Sequence, residues 1–158
     1  GVRCIHHYKG KSYVGLDNNT LVTVDKTCQV VSKPLIRYDN HITGIVVHQD
    51  GVYTLVYGNP YTLYKHDING SYLHKWTHQT SNSSTINIPA LVSEQLVAAD
   101  STNKWLTFYS LDGKVIKHVP CPQISNGRIA MSQASDDSVV VSDYGSSKVF
   151  RMKLNRLC

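Results

Sequence analysis

Four short segments decide the fold: YVGLD (residues 13–17), YTLVY (53–57), LVAAD (96–100) and VVVSD (139–143). Their first residues are 40, 43 and 43 positions apart. A recurrence of about 40 residues is typical of repeats that each form one four-stranded blade of a β-propeller. We expect these first residues to begin the second strand of successive blades, each facing its neighbour in the same way. They are Tyr13, Tyr53, Leu96 and Val139.

Strand-like runs flank the four segments on both sides. Upstream lies RCIHH, GIVVH, ALVSE or RIAMS, and downstream lies LVTVD, YTLYKHD, WLTFYSLD or VFRMKL. The last run alternates, with Phe150, Met152 and Leu154 on one face, as a half-buried strand does. Asn69-Gly70 and Asp112-Gly113 are signals for two-residue hairpins. They lead into a fourth run, SYLHKW or KVIKHV.

The pattern as a whole favours strands over helices. No window of about a dozen residues carries apolar side chains at i, i+3, i+4 and i+7. The sequence therefore predicts an all-β protein, a small β-propeller of four repeats with blades of up to four antiparallel strands, in one domain over residues 1–158. A β-sandwich is the competing fold, but regular spacing favours repeats. The repeats span about 2–36, 42–79, 88–121 and 126–158.

The fourth repeat lacks a full outer strand, since only NRLC follows MKL. Either a compact ring closes on four blades, or the array is open and is completed by another copy, because unpaired strand edges favour association. A homo-oligomer is therefore one expectation. In a closed ring a disulfide between Cys4 and Cys158 would fasten the first strand to the last.

Three segments, LDNNTLVTVD, ADSTNKWLTFYSLDG and SDYGSSKVFRMKL, resemble the core of the NHL repeat, as found in the C-terminal domain of TRIM-NHL proteins. In that family an Asp ends the second strand and an Asn-x-hydrophobic triplet opens the third. Asp17, Asp100 and Asp143 match the Asp, whereas the second repeat has Tyr57 there. The triplets are Asn19-Thr20-Leu21, Asn103-Lys104-Trp105 and, loosely, Ser147-Lys148-Val149, with Asn59-Pro60-Tyr61 in the second repeat.

The resemblance implies a propeller that captures protein partners and, in some members, RNA. NHL-type propellers usually have six blades, and four repeats depart from that number. From the residues alone, we expect the Asp and Asn side chains to hold tight turns by accepting hydrogen bonds from backbone amides.

Charge and cysteine content leave several classes open. The net charge is +5 with neutral histidines and the pI is about 9.0, which permits contact with nucleic acid, although Lys and Arg are scattered singly. No apolar run is long enough to span a membrane.

The four cysteines either form two disulfides, in one of three pairings, or remain buried thiols. They are Cys4, Cys28, Cys121 and Cys158. The start, GVRCIHH, has no signal-peptide pattern, and a cytoplasmic location is favoured over a secreted one.

Catalysis is not expected. His6 and His7 adjoin in a strand and therefore point to opposite faces, so they do not ligate one ion together. The chain carries no G-x-S-x-G motif, no P-loop and no carboxylate pair with helical spacing. We expect no enzyme activity, no metal site and no cofactor.

Blade geometry predicts one candidate binding face. If each blade runs a-b-c-d, then the b–c and d–a connections lie at the same end of the blade. These connections carry tyrosines, amides and cations, which suit protein contacts or stacking on single-stranded RNA. The stretch Gln79 to Thr85 belongs to the same face. The six residues expected to contact a partner are Arg37, Tyr38, His41, Lys104, Tyr144 and Lys148.

Three classes of binding function follow. A protein-interaction module for partner or substrate recognition is favoured, with RNA binding on the basic, aromatic face as the alternative. A glycan-binding small propeller is the second alternative, but only Trp76 and Trp105 are present and they lie at non-equivalent positions.

Overall fold

A computed structural model describes residues 1–27, 29–30, 34–49, 51–77, 86–135 and 137–154, with only the backbone for 86–89. These residues form fifteen strands and no helix. The strands are β1 (Val2–Tyr8), β2 (Lys11–Leu16), β3 (Thr20–Val24), β4 (Ile36–Arg37), β5 (Ile42–His48), β6 (Gly51–Val56), β7 (Thr62–Asp67), β8 (Tyr72–Thr77), β9 (Ile86–Val92), β10 (Gln95–Asp100), β11 (Trp105–Tyr109), β12 (Val115–Pro120), β13 (Ile129–Ser135), β14 (Ser138–Asp143) and β15 (Lys148–Lys153).

Each repeat forms one small antiparallel sheet. The sheets run β1-β2-β3-β4, β5-β6-β7-β8, β9-β10-β11-β12 and β13-β14-β15, and no strand is shared between two of them. The predicted fold class is confirmed: the protein is an all-β, four-blade propeller, and no hydrogen-bonded ladder among the described residues closes it. The chain divides into two compact units, Gly1–Gln79 with blades 1 and 2, and Thr80–Cys158 with blades 3 and 4.

The first hairpin of each blade fixes the register between repeats. The pairs Tyr8↔Lys11, His48↔Gly51, Val92↔Gln95 and Ser135↔Ser138 each enclose two residues. In blades 1 and 3 both enclosed residues have positive φ, at Lys9 and Gly10 and at Ser93 and Glu94, as type I′ turns require. Counted from this turn, the residues equivalent to Tyr13 and Tyr53 are Val97 in blade 3 and Val140 in blade 4.

The predicted repeat alignment is therefore correct in strand but wrong by one residue in blades 3 and 4. Tyr13, Tyr53, Leu96 and Val139 all lie in second strands. Leu96 and Val139 nevertheless come one residue before the positions equivalent to Tyr13 and Tyr53. Because side chains alternate along a strand, these two residues point to the opposite face of the sheet.

The turns between the third and fourth strands are longer than the sequence indicated. The Asp67 N–H donates to the Ser71 carbonyl at 2.9 Å and the Gly70 N–H donates to the Asp67 carbonyl at 3.0 Å. Ser110, Gly113 and Lys114 repeat this pattern. Each turn thus encloses three residues and ends on a glycine of positive φ, +91° at Gly70 and +88° at Gly113. A three-residue loop with glycine at its left-handed position is the next commonest hairpin connection.

Each unit has its own apolar core. In the first unit Tyr13, Leu21, Ile42 and Val52 meet between blades 1 and 2. In the second, the corresponding cluster between blades 3 and 4 contains Val97, Leu106, Phe108, Ile124, Val139 and Val141, with Phe150 and Met152 at its margin. Burial of one such leucine stabilises the fold by about 1.5–3 kcal/mol.

Two cysteines are free, buried thiols. Cys4 lies in the first core, and burial raises the pKa of its thiol to about 11. Cys121 lies in the second core with its Sγ 3.5 Å from Met152 Sδ. Cys4 is therefore not part of the predicted disulfide with Cys158, which, like Cys28, lies outside the described residues.

Candidate binding surfaces at the b–c ends of the blades

In each unit, backbone hydrogen bonds hold the b–c and d–a connections together at one end. The Tyr38 N–H donates to the Asn19 carbonyl at 2.9 Å, and the Cys121 N–H donates to the Lys104 carbonyl at 2.7 Å. Asn19 and Lys104 occupy the same position, the left-handed residue before the third strand, with φ of 64° and 58°. Within each unit the expected grouping of these connections is therefore observed.

The first unit carries an aromatic and amide surface, formed by Asn19, His41, Tyr57 and Tyr61 and called here the Tyr57 surface. The Tyr57 N–H donates to the His41 carbonyl at 2.8 Å. His41 Nδ1 lies 3.0 Å from Asn19 Oδ1, and the His41 ring centroid lies 6.5 Å from that of Tyr57. Tyr61 is buried and packs edge-on against Tyr57 at 5.4 Å. The Tyr57 ring is thus held from two sides while 52% of the residue stays exposed.

Tyr38 belongs to the core and not to this surface, which corrects one of the six predicted contact residues. It is buried, and its ring contacts Tyr64 at 5.1 Å and His66 at 5.7 Å. Burial raises the pKa of the Tyr38 hydroxyl. Arg37 ends β4 and is exposed, so it remains available beside the Tyr57 surface.

The second unit carries a cationic surface, formed by Arg128, Tyr144 and Lys148 and called here the Tyr144 surface. Tyr144 is 81% exposed, and its N–H donates to the Arg128 carbonyl at 2.9 Å. Lys148 begins β15 and pairs with Asp143, next to Tyr144, in the ladder. Tyr144 follows the second strand of blade 4 just as Tyr57 follows that of blade 2. The two exposed tyrosines therefore occupy equivalent positions.

Lys104, another predicted contact residue, also has a structural role. Its Nζ donates to the Ile124 carbonyl at 2.7 Å and so holds the turn that follows Cys121. One of the three donors of this ammonium group is therefore used within the unit.

The buried carboxylate of Asp143 holds together the connections that carry the Tyr144 surface. The Asp143 carboxylate accepts hydrogen bonds from the Ser125 N–H at 2.7 Å, the Ser125 hydroxyl, the Gly145 N–H at 3.1 Å and the Ser146 hydroxyl at 2.8 Å. Burial alone would raise its pKa, but these donors lower the pKa to about 2. Asp100, the equivalent residue of blade 3, accepts from Thr102 and Asn103. The expected turn-holding role is observed at both.

Asp17 does not share that role. Counting from the hairpin, the positions equivalent to Asp100 are Leu16 and Val56, so Asp17 lies one residue later. Its carboxylate is half exposed and pairs with Arg3 at 3.0 Å. The turn of blade 1 is held instead by Asn18, whose Oδ1 accepts from the Thr20 N–H and hydroxyl.

Tyr57 is a surface residue that is absent from the six predicted contact residues. The NHL-repeat resemblance aligns it with the Asp position, although it follows that position by one residue. The turn of two residues between His48 and Gly51 identifies Tyr57 correctly, because it sets the register of blade 2 independently of any motif.

Other candidate sites do not assemble. His6 is half-buried while His7 is exposed and lies 3.2 Å from the Ser12 hydroxyl. Within the ranges that the structure describes, no three His, Cys, Asp or Glu side chains come together in a group that could hold a metal ion. The predicted Gln79 to Thr85 stretch lies outside those ranges. No helix among the described residues is long and apolar enough to cross a membrane.

Comparison with known proteins supports the fold. No family model matches the chain, and no curated protein sequence matches it. A Bacteroides caccae protein of unknown function has a similar structure, with TM-score 0.61 and 11% identity over 98% of this chain and 61% of that one. The computationally designed Ika4 protein gives 0.66 and 15% over 98% and 92%. The designed Ika8 protein gives 0.63 and 14% over 97% and 46%. The chain thus spans less than two thirds of the first and third of these.

Proposed function

We propose that the chain is a non-catalytic binding module, and that the Tyr57 surface of the first unit and the Tyr144 surface of the second each bind a protein partner. One observation carries the proposal: two strongly exposed tyrosines, 52% and 81% accessible, follow the second strand in blades 2 and 4 and are fixed by the same backbone hydrogen bond. His41 and Arg128 accept those bonds, and the His41 ring lies 6.5 Å from the Tyr57 ring.

Tyrosine and arginine suit this role for a physical reason. Both are enriched among the few interface residues that supply most of the binding free energy. A tyrosine ring buries a large area at low conformational cost. The neighbouring backbone is already held by short-range bonds, so little further ordering is needed on binding. Exposed Arg37 and Lys148 extend the two surfaces with polar margins.

The NHL-repeat resemblance is compatible with this proposal but is limited to part of the repeat. Asp100 and Asp143 share one position and hold turns as the motif implies. Asp17 and Tyr57 lie one position later, so blades 1 and 2 depart from the motif.

Single-stranded RNA is the second candidate partner, favoured by the Tyr144 surface. There an exposed tyrosine lies at the same end of blade 4 as Arg128 and Lys148, in a chain of net charge +5. Stacking of a base on such a ring is worth about 1–3 kcal/mol.

A peptide-display selection tests the leading proposal. The native protein is the target, and the Tyr57→Ala/Tyr144→Ala double variant serves for counter-selection. We expect peptides that bind the native protein at least tenfold more tightly than the double variant. The matched control is Tyr72→Ala, an exposed tyrosine on β8, which should bind the selected peptides within twofold of native. Selected peptides that bind all three proteins equally would refute the proposal.

A retardation assay with random single-stranded RNA at two salt concentrations tests the second candidate. An RNA affinity that falls steeply as salt rises would favour this candidate. In Lys148→Gln the affinity should fall less steeply, because each lost phosphate contact lowers the salt slope by about one unit.

A further inference from the structure

Val149 occupies a position that is buried in the other three blades. It pairs with the fifth residue of the second strand, Ser142. The residues with the same pairing in blades 1, 2 and 3 are Leu21, Leu63 and Leu106. These leucines are 0–3% exposed, whereas Val149 is 71% exposed.

The three leucines share a partner that Val149 lacks. On the side away from the second strand, Leu21 pairs with Ile36, Leu63 with Trp76 and Leu106 with Val119, each an apolar residue of the fourth strand. Among the described residues no strand pairs with the outer edge of β15. Within the part of the chain that the structure describes, this edge therefore presents unpaired backbone groups and one apolar side chain at the place where an apolar partner is otherwise found.

The charges along β15 indicate what would pair there. The strand KVFRMK has three cations and no carboxylate. Arg151 is turned back onto its own sheet, with Nε 3.0 Å from the Ser138 hydroxyl and Nη2 3.1 Å from that of Ser135. Lys148 and Lys153 remain exposed at the two ends of the edge.

We propose that the outer edge of β15 binds an extended, acidic segment of a partner protein as an added antiparallel strand. The segment places an apolar residue opposite Val149 and carboxylates near Lys148 and Lys153. Main-chain hydrogen bonds supply much of the affinity, and the alternating side chains supply the specificity. Pairing of β15 with β15 of a second copy is disfavoured, because it would align like charges across the two strands.

A labelled, capped peptide tests this directly by fluorescence anisotropy. Read from its N-terminal end, its core is glutamate, three threonines, isoleucine and glutamate, so that the antiparallel register sets isoleucine against Val149. We expect the native protein to bind it, with affinity that falls as salt rises. Val149→Glu should weaken binding at least tenfold. The matched control Val115→Glu, on the exposed strand β12 of the same unit, should stay within twofold of native.

Two further measurements separate strand addition from charge attraction. Peptides N-methylated at alternate amides are made in two sets, and only the set whose amides face β15 should lose binding. Hydrogen exchange of the native protein with peptide bound should protect residues 148–153 and not 115–120. No binding by the native protein, equal binding by both valine variants, or equal binding by both methylated sets would each overturn the proposal. The peptide contacts Lys148 of the Tyr144 surface but neither Tyr57 nor Tyr144, so the Tyr57→Ala/Tyr144→Ala protein should bind this peptide normally.

Discussion

The carboxylate of Asp143 binds Ser125, a residue 18 positions earlier in the chain, through both its backbone N–H at 2.7 Å and its hydroxyl. Asp143 ends the second strand of blade 4, and Ser125 lies in the connection that enters that blade. This pair therefore joins the d–a and b–c connections and positions Arg128 and Tyr144 above it.

Removal of this carboxylate should destabilise the protein strongly. In Asp143→Ala several donors lose a buried, charged acceptor, and each such loss costs about 1.5–3 kcal/mol. We expect the free energy of unfolding, measured by urea denaturation, to fall by at least about 2 kcal/mol. Asp17→Ala is the matched control, since Asp17 is half exposed and its ion pair with Arg3 lies at the surface, where such pairs contribute little to stability. Equal losses in the two variants would contradict this account.

Asp143 should also contribute to acid sensitivity. Its pKa is about 2 in the folded protein and about 3.9 when unfolded, so the unfolded chain takes up this proton first as pH falls. The stabilisation is present above about pH 4 and is lost between about pH 4 and 2. Urea midpoints at pH 5 and pH 2.5 should differ more in the native protein than in Asp143→Asn. The same pH dependence in both would show that the carboxylate is not coupled to folding.

His66 should make stability fall in a milder pH range. It is buried against Tyr38, Tyr64 and Tyr72, and burial lowers its pKa, with Asp67 opposing the shift in part. Below about pH 6.5, the ordinary value, the unfolded chain is protonated more readily than the folded one, and stability is lost as pH falls. The drop in melting temperature from pH 7.5 to 5 should be smaller in His66→Gln than in native protein. Exposed His74→Gln should retain the native drop.

The repeat period could be predicted from the sequence, but the exact register could not. In β6 all six residues are buried, so no alternation of polar and apolar side chains marks which face each residue takes. The hairpin turns carry that information, and they have different residues in every blade. The burial of Tyr38 could not be predicted for a related reason: its contact with His66, 28 residues away, depends on packing that local sequence does not encode. The same is true of the bond from Lys104 to the Ile124 carbonyl, 20 residues away.

Two turn glycines should differ in their tolerance of alanine. Both have positive φ, +77° at Gly10 and +91° at Gly70, which costs a non-glycine residue about 1–2 kcal/mol. A Cβ at Gly10 would meet nothing within 4 Å, whereas one at Gly70 would lie 2.6 Å from the Leu35 carbonyl oxygen. Gly70→Ala should therefore lower the free energy of unfolding by at least about 1 kcal/mol more than Gly10→Ala. A smaller loss at Gly70 would show that this contact is not formed in solution.

The most direct test of the account is calorimetric titration of a display-selected peptide into native protein, Tyr57→Ala, Tyr144→Ala and the control Tyr72→Ala. Because Tyr144 is 81% exposed, its removal should change the free energy of unfolding by no more than about 0.5 kcal/mol. Tyr57→Ala should cost about 0.5–1.5 kcal/mol, since it also loses the edge-on contact with Tyr61. The account predicts that at least one of the two single variants binds at least tenfold more weakly, while Tyr72→Ala binds as native does. Native affinity in both Tyr57→Ala and Tyr144→Ala would contradict the claim that these surfaces bind the partner.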